Sequence, residues 1–143
     1  MSVKQISVFV ENKPGRILEI IETLGKNNID ICGLSVADTS EFGVARMIVS
    51  DSNLAKTVLR ENGVIVKITD ITAIAVDNKP GALTDALSVL KENGIVVEYM
   101  YAIAKSIDEK SVIVIRADVP EKAEDALKAN GVKVLSHGEI NNL

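Results

Sequence analysis

Apolar and polar residues alternate near the start of the chain and then change to a helical spacing. Ile6, Val8 and Val10 occur at every second position, which predicts a half-buried strand. Residues 14–27 instead predict an amphipathic helix whose inward stripe is Ile17, Leu18, Ile21 and Leu24. The rest of this half predicts strands at 29–37, 44–49 and 64–68, with a second helix capped by Asp51 or Ser52. The order of elements is therefore β-α-β-β-α-β.

The second half of the chain repeats this order. It predicts strands at 71–76, 95–104, 112–117 and 132–135, and helices at 80–93 and 120–130. Polar turns are expected at 38–41 and 106–110, and Asn-Gly pairs at 62–63 and 130–131 end helices. We expect the polar tail, 136–143, to be loosely held. Two domains follow, which we call the first repeat (1–69) and the second repeat (70–143).

One four-residue loop occurs in both repeats at the junction between the first strand and the first helix. Asn12-Lys13-Pro14-Gly15 recurs 66 positions later as Asn78-Lys79-Pro80-Gly81. Asparagine suits the entry to a helix and proline suits its first turn, where the missing N–H is not needed. A helix start of this kind also presents free N–H groups to an anion. The loop is therefore either a well-capped helix start or a binding element.

The repeated order of elements predicts a fold with two exposed strand edges. Right-handed crossovers make the ferredoxin-like α+β sandwich the usual solution for β-α-β-β-α-β, with an antiparallel sheet in the order 4-1-3-2 and both helices on one face. The second strand of each repeat, 29–37 or 95–104, is then an edge with unpaired backbone groups. We expect these edges to pair, within one chain or between chains, so that the sheets join side by side.

Composition excludes several classes of function. The chain of 143 residues has no Trp, two Phe and two Tyr, so its core must be aliphatic. A net charge of −4 gives no electrostatic footprint for nucleic acid. The single cysteine, Cys32, rules out a multi-cysteine zinc site and is expected to be a small buried side chain. No signal peptide or membrane-spanning run is present, which favours the cytoplasm and no membrane partner.

Both loops with their flanking residues resemble the ACT domain. The segments that carry the resemblance are 8–18, with the sequence VFVENKPGRIL, and 74–83, with the sequence IAVDNKPGAL. Known ACT domains are regulatory modules that bind small ligands, usually amino acids, at an interface between two ACT units. The resemblance therefore implies a non-catalytic amino-acid-binding module without cofactor or metal. It also implies a homodimer that acts on a separate metabolic enzyme or regulator.

The resemblance also implies which residues bind the ligand. Asn12 and Asn78 match the loop asparagine that contacts ligand in serine-sensing ACT domains. At the next contact position, early in the edge strand, this chain has Asp30 in the first repeat and Val96 in the second. The family histidine two positions before the asparagine is replaced by valine, so serine is not the expected ligand. With Tyr99, which is either a pocket residue or core filling beside the helices, the candidate ligand-binding residues are Asn12, Lys13, Pro14, Gly15, Arg16, Asp30, Asn78, Lys79, Pro80, Gly81 and Tyr99.

Close approach of a ligand or of a neighbouring strand is expected at the backbone of Gly15 and Gly81, because glycine lacks a Cβ. Other activities of this fold find little support. The loops lack the arginine of an acylphosphatase anion site, and the chain lacks the paired cysteines of a metallochaperone. His137, the single histidine, has no partner motif for general-base catalysis. The alternative that stays open is a protein–protein interaction or assembly module that binds no ligand.

Overall fold

The computed structural model describes residues 3–38 and 42–143. Two compact units divide the chain: Lys4–Thr69, and Asp70–Leu143 together with Val3. The first repeat contains β1 (Val3–Glu11), α1 (Arg16–Lys26), β2 (Ile31–Asp38), β3 (Phe42–Val49) and α2 (Ser52–Glu61). Strand β4 (Val66–Asp77) runs from the first repeat into the second. The second repeat continues with α3 (Ala82–Glu92), β5 (Val97–Ile107), β6 (Lys110–Ala117), α4 (Pro120–Ala129), β7 (Lys133–Leu135) and α5 (His137–Asn141).

Each repeat has the predicted antiparallel α+β topology. In the first repeat β3 lies between β1 and β2, and β4 follows β1 on the other side. In the second repeat β6 lies between β4 and β5, and β7 pairs with β4. β2 and β5 are therefore edge strands, as predicted. Pairing of these edges side by side stays a prediction.

Each repeat packs its two long helices on one face of its sheet around an aliphatic core. In the first repeat Val8, Met47, Leu24 and Leu59 meet in this layer. In the second repeat Ile74, Ile115, Leu90 and Leu127 occupy the matching places. One predicted core residue is wrong: Leu18 is 56% exposed, and Ile20 lies inward instead. The observed helix begins at Arg16 rather than Pro14, and the residues that it packs into the core are Ile17, Ile20 and Leu24.

Four helices end in the same way, by a Schellman motif that the sequence repeats four times. After α1, α2, α3 and α4 the C-cap is an asparagine whose side-chain amide donates to the carbonyl four residues earlier, at 2.8 Å in every case. The next residue has a positive φ, and it is Gly63, Gly94 or Gly131 except at Asn28. The residue after that donates its N–H to a leucine carbonyl three residues before the C-cap, as in Ile29 to Leu24 at 3.0 Å.

The C-terminal residues differ from the prediction of a loose polar tail. Residues 137–141 form α5, which begins with a capping box between Ser136 and Glu139. Ile140 has no exposed surface and anchors the helix. The predicted turn at 38–41 falls largely on residues 39–41, which lie outside the described residues. At the other predicted turn, β5 and β6 form a hairpin through Asp108 and Glu109, both with positive φ.

Candidate functional site

The repeated loop is a type II turn followed by a helix. In the first repeat the Arg16 N–H donates to the Lys13 carbonyl at 3.3 Å, and Gly15 has φ 84° and ψ −6°. In the second repeat the Ala82 N–H donates to the Lys79 carbonyl at 3.3 Å, and Gly81 has φ 82° and ψ −7°. Proline before the glycine suits this turn because its ring sets the φ that the second position requires.

This geometry corrects the expectation that an asparagine caps the helix. Because the helices begin at Arg16 and Ala82, the glycines occupy the N-cap positions, and neither Asn12 nor Asn78 is the helix cap. A Cβ at Gly15 or Gly81 would meet nothing within 4 Å of it. Glycine is therefore required at these positions by the positive φ of the turn and not by crowding from neighbouring atoms.

The first loop carries a chain of ion pairs at the start of α1. The Glu11 carboxylate forms an ion pair with Lys13 at 3.1 Å and another with Arg16 at 3.6 Å. Arg16 also bonds Glu19 through Nη1 at 3.0 Å. The hydrogen bond from Lys13, followed by the positive charges of Lys13 and Arg16, lowers the pKa of the Glu11 carboxyl. All four side chains are partly or fully exposed, so a ligand carboxylate or ammonium group can compete for them.

The second loop lacks this arrangement. Asp77 takes the place of Glu11 and lies 3.8 Å from both Lys79 and Lys110. The residue after Gly81 is Ala82, so no guanidinium stands at the start of α3. Asn78, Lys79, Pro80 and Gly81 are all exposed. The two loops therefore share a backbone but differ in chemistry.

A pocket of about 380 Å³ lies beside the first loop, within the first repeat. We call it the first-repeat pocket. The end of β1, the exposed side of α1, the start of β3 and the turn between α2 and β4 form its walls. Its lining is Phe9, Val10, Glu11, Arg16, Glu19, Ile20, Glu22, Thr23, Lys26, Phe42, Asn62, Gly63, Val64 and Ile65. Arg16 is thus the one candidate ligand residue from the sequence that lines it.

The remaining candidates of the first repeat lie outside the lining. Asn12, Lys13, Pro14 and Gly15 are exposed on the turn next to Glu11. Asp30 precedes β2, where its N–H donates to the Ser50 hydroxyl at 3.0 Å and its carbonyl accepts the Ser50 N–H at 2.9 Å. These bonds fix the start of the edge strand and leave the Asp30 carboxylate on the surface.

Val96 occupies the equivalent position in the second repeat. Its N–H donates to the Asp118 carboxylate at 3.0 Å, and its carbonyl accepts the Asp118 N–H at 3.0 Å. The backbone role of Asp30 is therefore preserved in both repeats, while the carboxylate is present in one of them. The non-equivalence that the sequence indicated at this position is real in the structure.

Tyr99 lies half-buried on β5, opposite Arg116 of β6. Its neighbour Met100 packs into the core beside the helices, so Tyr99 and Tyr101 face the other side of the sheet. Core filling beside the helices is therefore the wrong alternative for them. A bulge next to Tyr99 brings Glu98 to 3.2 Å from Arg116, which also donates to the Asp70 carbonyl at 2.7 Å. The surroundings of Tyr99 are thus a polar network of the second repeat.

The sequence prediction missed the apolar part of the pocket. Phe9 and Phe42 are the two phenylalanines of the chain, and neither is among the candidate ligand-binding residues that the sequence indicates. A usable signal was present: Phe9 lies between Val8 and Val10, so strand alternation directs it away from the core. Ile65, which lines the same pocket, follows the helix end Asn62-Gly63 and lies in no alternating pattern that would predict its exposure.

Residues 3–38 and 42–143 contain neither a metal-binding cluster nor a helix that could cross a membrane. No group of three or more His, Cys, Asp or Glu residues there is placed to hold a metal ion. No helix in the same ranges is long and apolar enough to cross a membrane. Cys32 is a buried thiol, as predicted.

A family model described as ACT domain pair matches residues 1–143. The chain belongs to this family. ACT domains are regulatory modules, and the resemblance drawn from the two loops is confirmed for family and fold. No curated protein matches the chain.

Solved structures of several proteins are similar to this ACT domain pair. The crystal structure of protein BT0572 from Bacteroides thetaiotaomicron is 38% identical, with 100% of this chain and 98% of that chain covered and a TM-score of 0.93. The ligand-free regulatory subunit of aspartate kinase from Thermus thermophilus is 14% identical over 91% of each chain, with a TM-score of 0.64. The Thermus flavus subunit is 20% identical over 90% of each chain, with a TM-score of 0.64. At these identities the aspartate kinase subunits share the fold alone.

Proposed function

We propose that this ACT domain pair is a non-catalytic regulatory module that binds an amino acid. Each repeat, 1–69 and 70–143, is taken as one ACT domain. The observation that carries the proposal is the first-repeat pocket, which places both signs of charge beside the turn after β1. An amino acid needs donors for its carboxylate and acceptors for its ammonium group, and a binding pocket supplies these through a few convergent polar groups.

Arg16 is the group that we assign to the carboxylate. A guanidinium offers five N–H donors, and the ion pairs with Glu11 and Glu19 engage its two terminal nitrogens without using every hydrogen. A bidentate arginine–carboxylate pair is stronger than an ordinary hydrogen bond. We assign the ammonium group to the carboxylates of Glu19 and Glu22, which line the same pocket.

The exposed candidates complete the site from a neighbouring ACT unit in this proposal. Asn12 to Gly15 in the first repeat, and Asn78 to Gly81 in the second, are exposed turns with the same backbone. Asp30 and Tyr99 lie on or next to the edge strands β2 and β5. We propose that a homodimer brings such groups to a ligand at an ACT–ACT interface. The regulated partner would be a separate metabolic enzyme or regulator in the cytoplasm.

Calorimetric titration of the full chain with each of the twenty amino acids tests the proposal. The expected result is saturable binding of at least one amino acid, and at least a tenfold loss of affinity in Arg16→Gln. Arg60→Gln is the matched control, because Arg60 is exposed in the last turn of α2 and does not line the pocket. Absence of binding at millimolar concentration for all twenty would overturn the amino-acid proposal.

The assembly module is the second candidate, and an observation on β2 favours it. Leu34 and Val36 are large apolar side chains exposed on this edge strand. In that reading Val36→Glu would dissociate a dimer and no amino acid would bind. Calorimetry separates the two readings, because the unaltered chain binds an amino acid if it is a sensor and none if it is an assembly module. Analytical ultracentrifugation of Val36→Glu tests whether β2 holds a dimer together.

A further inference from the structure

We propose that the first-repeat pocket selects amino acids with a large apolar side chain, such as leucine, methionine or phenylalanine. This proposal rests on the proposed function, because it takes an amino acid as the ligand and names its class. Three apolar side chains that the helix–sheet core does not use carry it: Phe9, Phe42 and Ile65.

These three side chains form an exposed apolar wall. Phe42 lies directly opposite Glu11 in the β1–β3 register, and Phe9 is two residues before Glu11 on the same face. The Phe9 N–H donates to the Ile65 carbonyl at 3.2 Å, which places β4 beside this wall. Phe9 is 51% exposed, Phe42 53% and Ile65 68%. Adjacent exposed apolar groups rimmed by charge are typical of a binding surface.

The wall belongs to the first repeat alone. The register that pairs Glu11 with Phe42 pairs Asp77 with Lys110 in the second repeat, so a lysine stands where the first repeat has Phe42. Phe9 corresponds to Ala75, which is 5% exposed. Ile65 corresponds to Lys133, because each follows the sequence Asn-Gly-Val. Apolar selectivity is therefore a property that one repeat has and the other lacks.

The pocket separates its polar and apolar groups in the way such a ligand does. Four of the five charged residues of the lining, Arg16, Glu19, Glu22 and Lys26, come from α1. The fifth, Glu11, lies at the end of β1 and is paired with Lys13 and Arg16. The three apolar residues come from β1, β3 and the segment before β4. A ligand whose ammonium and carboxylate groups face α1 therefore directs its side chain to Phe9, Phe42 and Ile65. A polar or charged side chain at that place would lose water without gaining a hydrogen-bond partner from the wall.

The expected selectivity follows from the apolar area covered. Each buried methylene contributes about a fourfold gain in affinity. Because the wall is open on one side, only part of that gain is realised. Leucine or phenylalanine should still bind on the order of tenfold more tightly than alanine or serine.

The test compares leucine, phenylalanine, alanine, serine and glutamate by calorimetry on the full chain and on three variants. Phe9→Ala and Phe42→Lys should each weaken leucine and phenylalanine binding by about tenfold. The second of these introduces the residue that the second repeat already carries at the matching place. Leu54→Ala is the control, since Leu54 is an exposed large apolar residue of α2 outside the pocket and should leave affinity unchanged.

Failure of this proposal is distinguishable from failure of the proposed function. If none of the twenty amino acids binds, both are overturned. If serine or glutamate binds most tightly, or if leucine binding survives both phenylalanine substitutions, an amino-acid module remains and the apolar selectivity is overturned. Far-ultraviolet circular dichroism and Phe9→Leu, which keeps an apolar wall, control for misfolding: Phe9→Leu should retain leucine binding within about threefold.

Discussion

Gly81 occupies the third position of a type II turn, where φ is 82°. A side chain in this left-handed region costs roughly 1–2 kcal/mol, and no neighbouring atom lies within 4 Å of a Cβ built there. We therefore expect Gly81→Ala to lower the free energy of unfolding by about 1–2 kcal/mol. Urea denaturation followed by circular dichroism measures this loss.

Gly25 provides the matched control for that substitution. It lies inside α1 at an ordinary φ, and a Cβ there also meets nothing within 4 Å. Gly25→Ala should raise the free energy of unfolding by about 0.5–1 kcal/mol, because alanine is the better helix former. The same sign for both substitutions would contradict the account of the turn by its positive φ.

Val119 has the backbone conformation of a helix N-cap but a side chain that cannot accept a capping hydrogen bond. It is the N-cap of α4 with φ −126° and ψ 89°, close to φ −138° and ψ 96° at Asp51, the N-cap of α2. Asp51 accepts the Leu54 N–H at 3.0 Å, whereas a valine side chain has no acceptor. Val119→Thr keeps the shape of the side chain and adds a hydroxyl oxygen that can accept the hydrogen bond. It should raise the free energy of unfolding by about 0.5–1 kcal/mol.

The control for Val119→Thr is the removal of the existing cap at the equivalent helix start of the first repeat. Asp51→Ala should lower the free energy of unfolding by about 1 kcal/mol, since it removes a cap that is present. Thermal denaturation of both variants measures the two effects. A neutral Val119→Thr together with a destabilising Asp51→Ala would mean that the matched backbone does not suffice for capping.

At the scale of single residues, the sequence predicts Arg16 as a ligand-binding residue, and the structure places it at the first-repeat pocket, whereas Phe9 and Phe42 of the same lining are not predicted. Arg16 could be predicted because it directly follows the repeated Asn-Lys-Pro-Gly loop, so its position can be read from the neighbouring sequence alone. Phe42 could not, because its place depends on the register that sets it opposite Glu11. That register is a long-range property, and one residue of slip would move Phe42 to the other face.

Helix ends are the elements that the sequence predicts best in this chain. Each of the four long helices is followed by Asn-Gly-Ile, Asn-Gly-Val or Asn-Asn-Ile, and each forms a Schellman motif. The signal is local, since the positive φ and the hydrophobic contact lie within six residues. The sequence did not predict α5, because this helix has one buried apolar residue, Ile140, and so no apolar periodicity. Ser136 and Glu139 do match the capping-box pattern.

The hairpin between β5 and β6 is an element whose turn residues are unfavourable. Asp108 and Glu109 have φ values of 48° and 63°, the left-handed pair that a two-residue hairpin turn requires. Glycine at the second position removes the strain of a side chain there. Glu109→Gly should therefore raise the free energy of unfolding by about 1 kcal/mol, measured by urea denaturation.

Glu61→Gly controls for the loss of a glutamate and the gain of a glycine elsewhere. Glu61 is exposed in the last turn of α2, where glycine has the lower helix propensity. This substitution should lower the free energy of unfolding by about 0.5–1 kcal/mol. Destabilisation by Glu109→Gly would indicate that the charge at position 109 matters more than its backbone conformation.

At the scale of the molecule, two repeats share a topology and differ in the surface that each presents. Topology follows from the order of elements and from the helix ends, which both repeats retain. The site depends on side chains at three strand or turn positions, where Phe9, Phe42 and Ile65 correspond to Ala75, Lys110 and Lys133. The sequence repeat therefore predicts the same fold for both repeats. It does not predict the same pocket, because the residues of the apolar wall are present in the first repeat and replaced in the second.

This difference predicts where a bound amino acid will protect the chain. Hydrogen–deuterium exchange with saturating ligand should slow exchange in peptides covering 9–26 and 62–65, because these segments line the first-repeat pocket. The matching segments of the second repeat, 75–92 and 130–133, should show a smaller change. Calorimetry should accordingly give one apolar ligand per chain. Equal protection of both sets, or a stoichiometry of two, would show that the shared turn rather than the apolar wall determines binding.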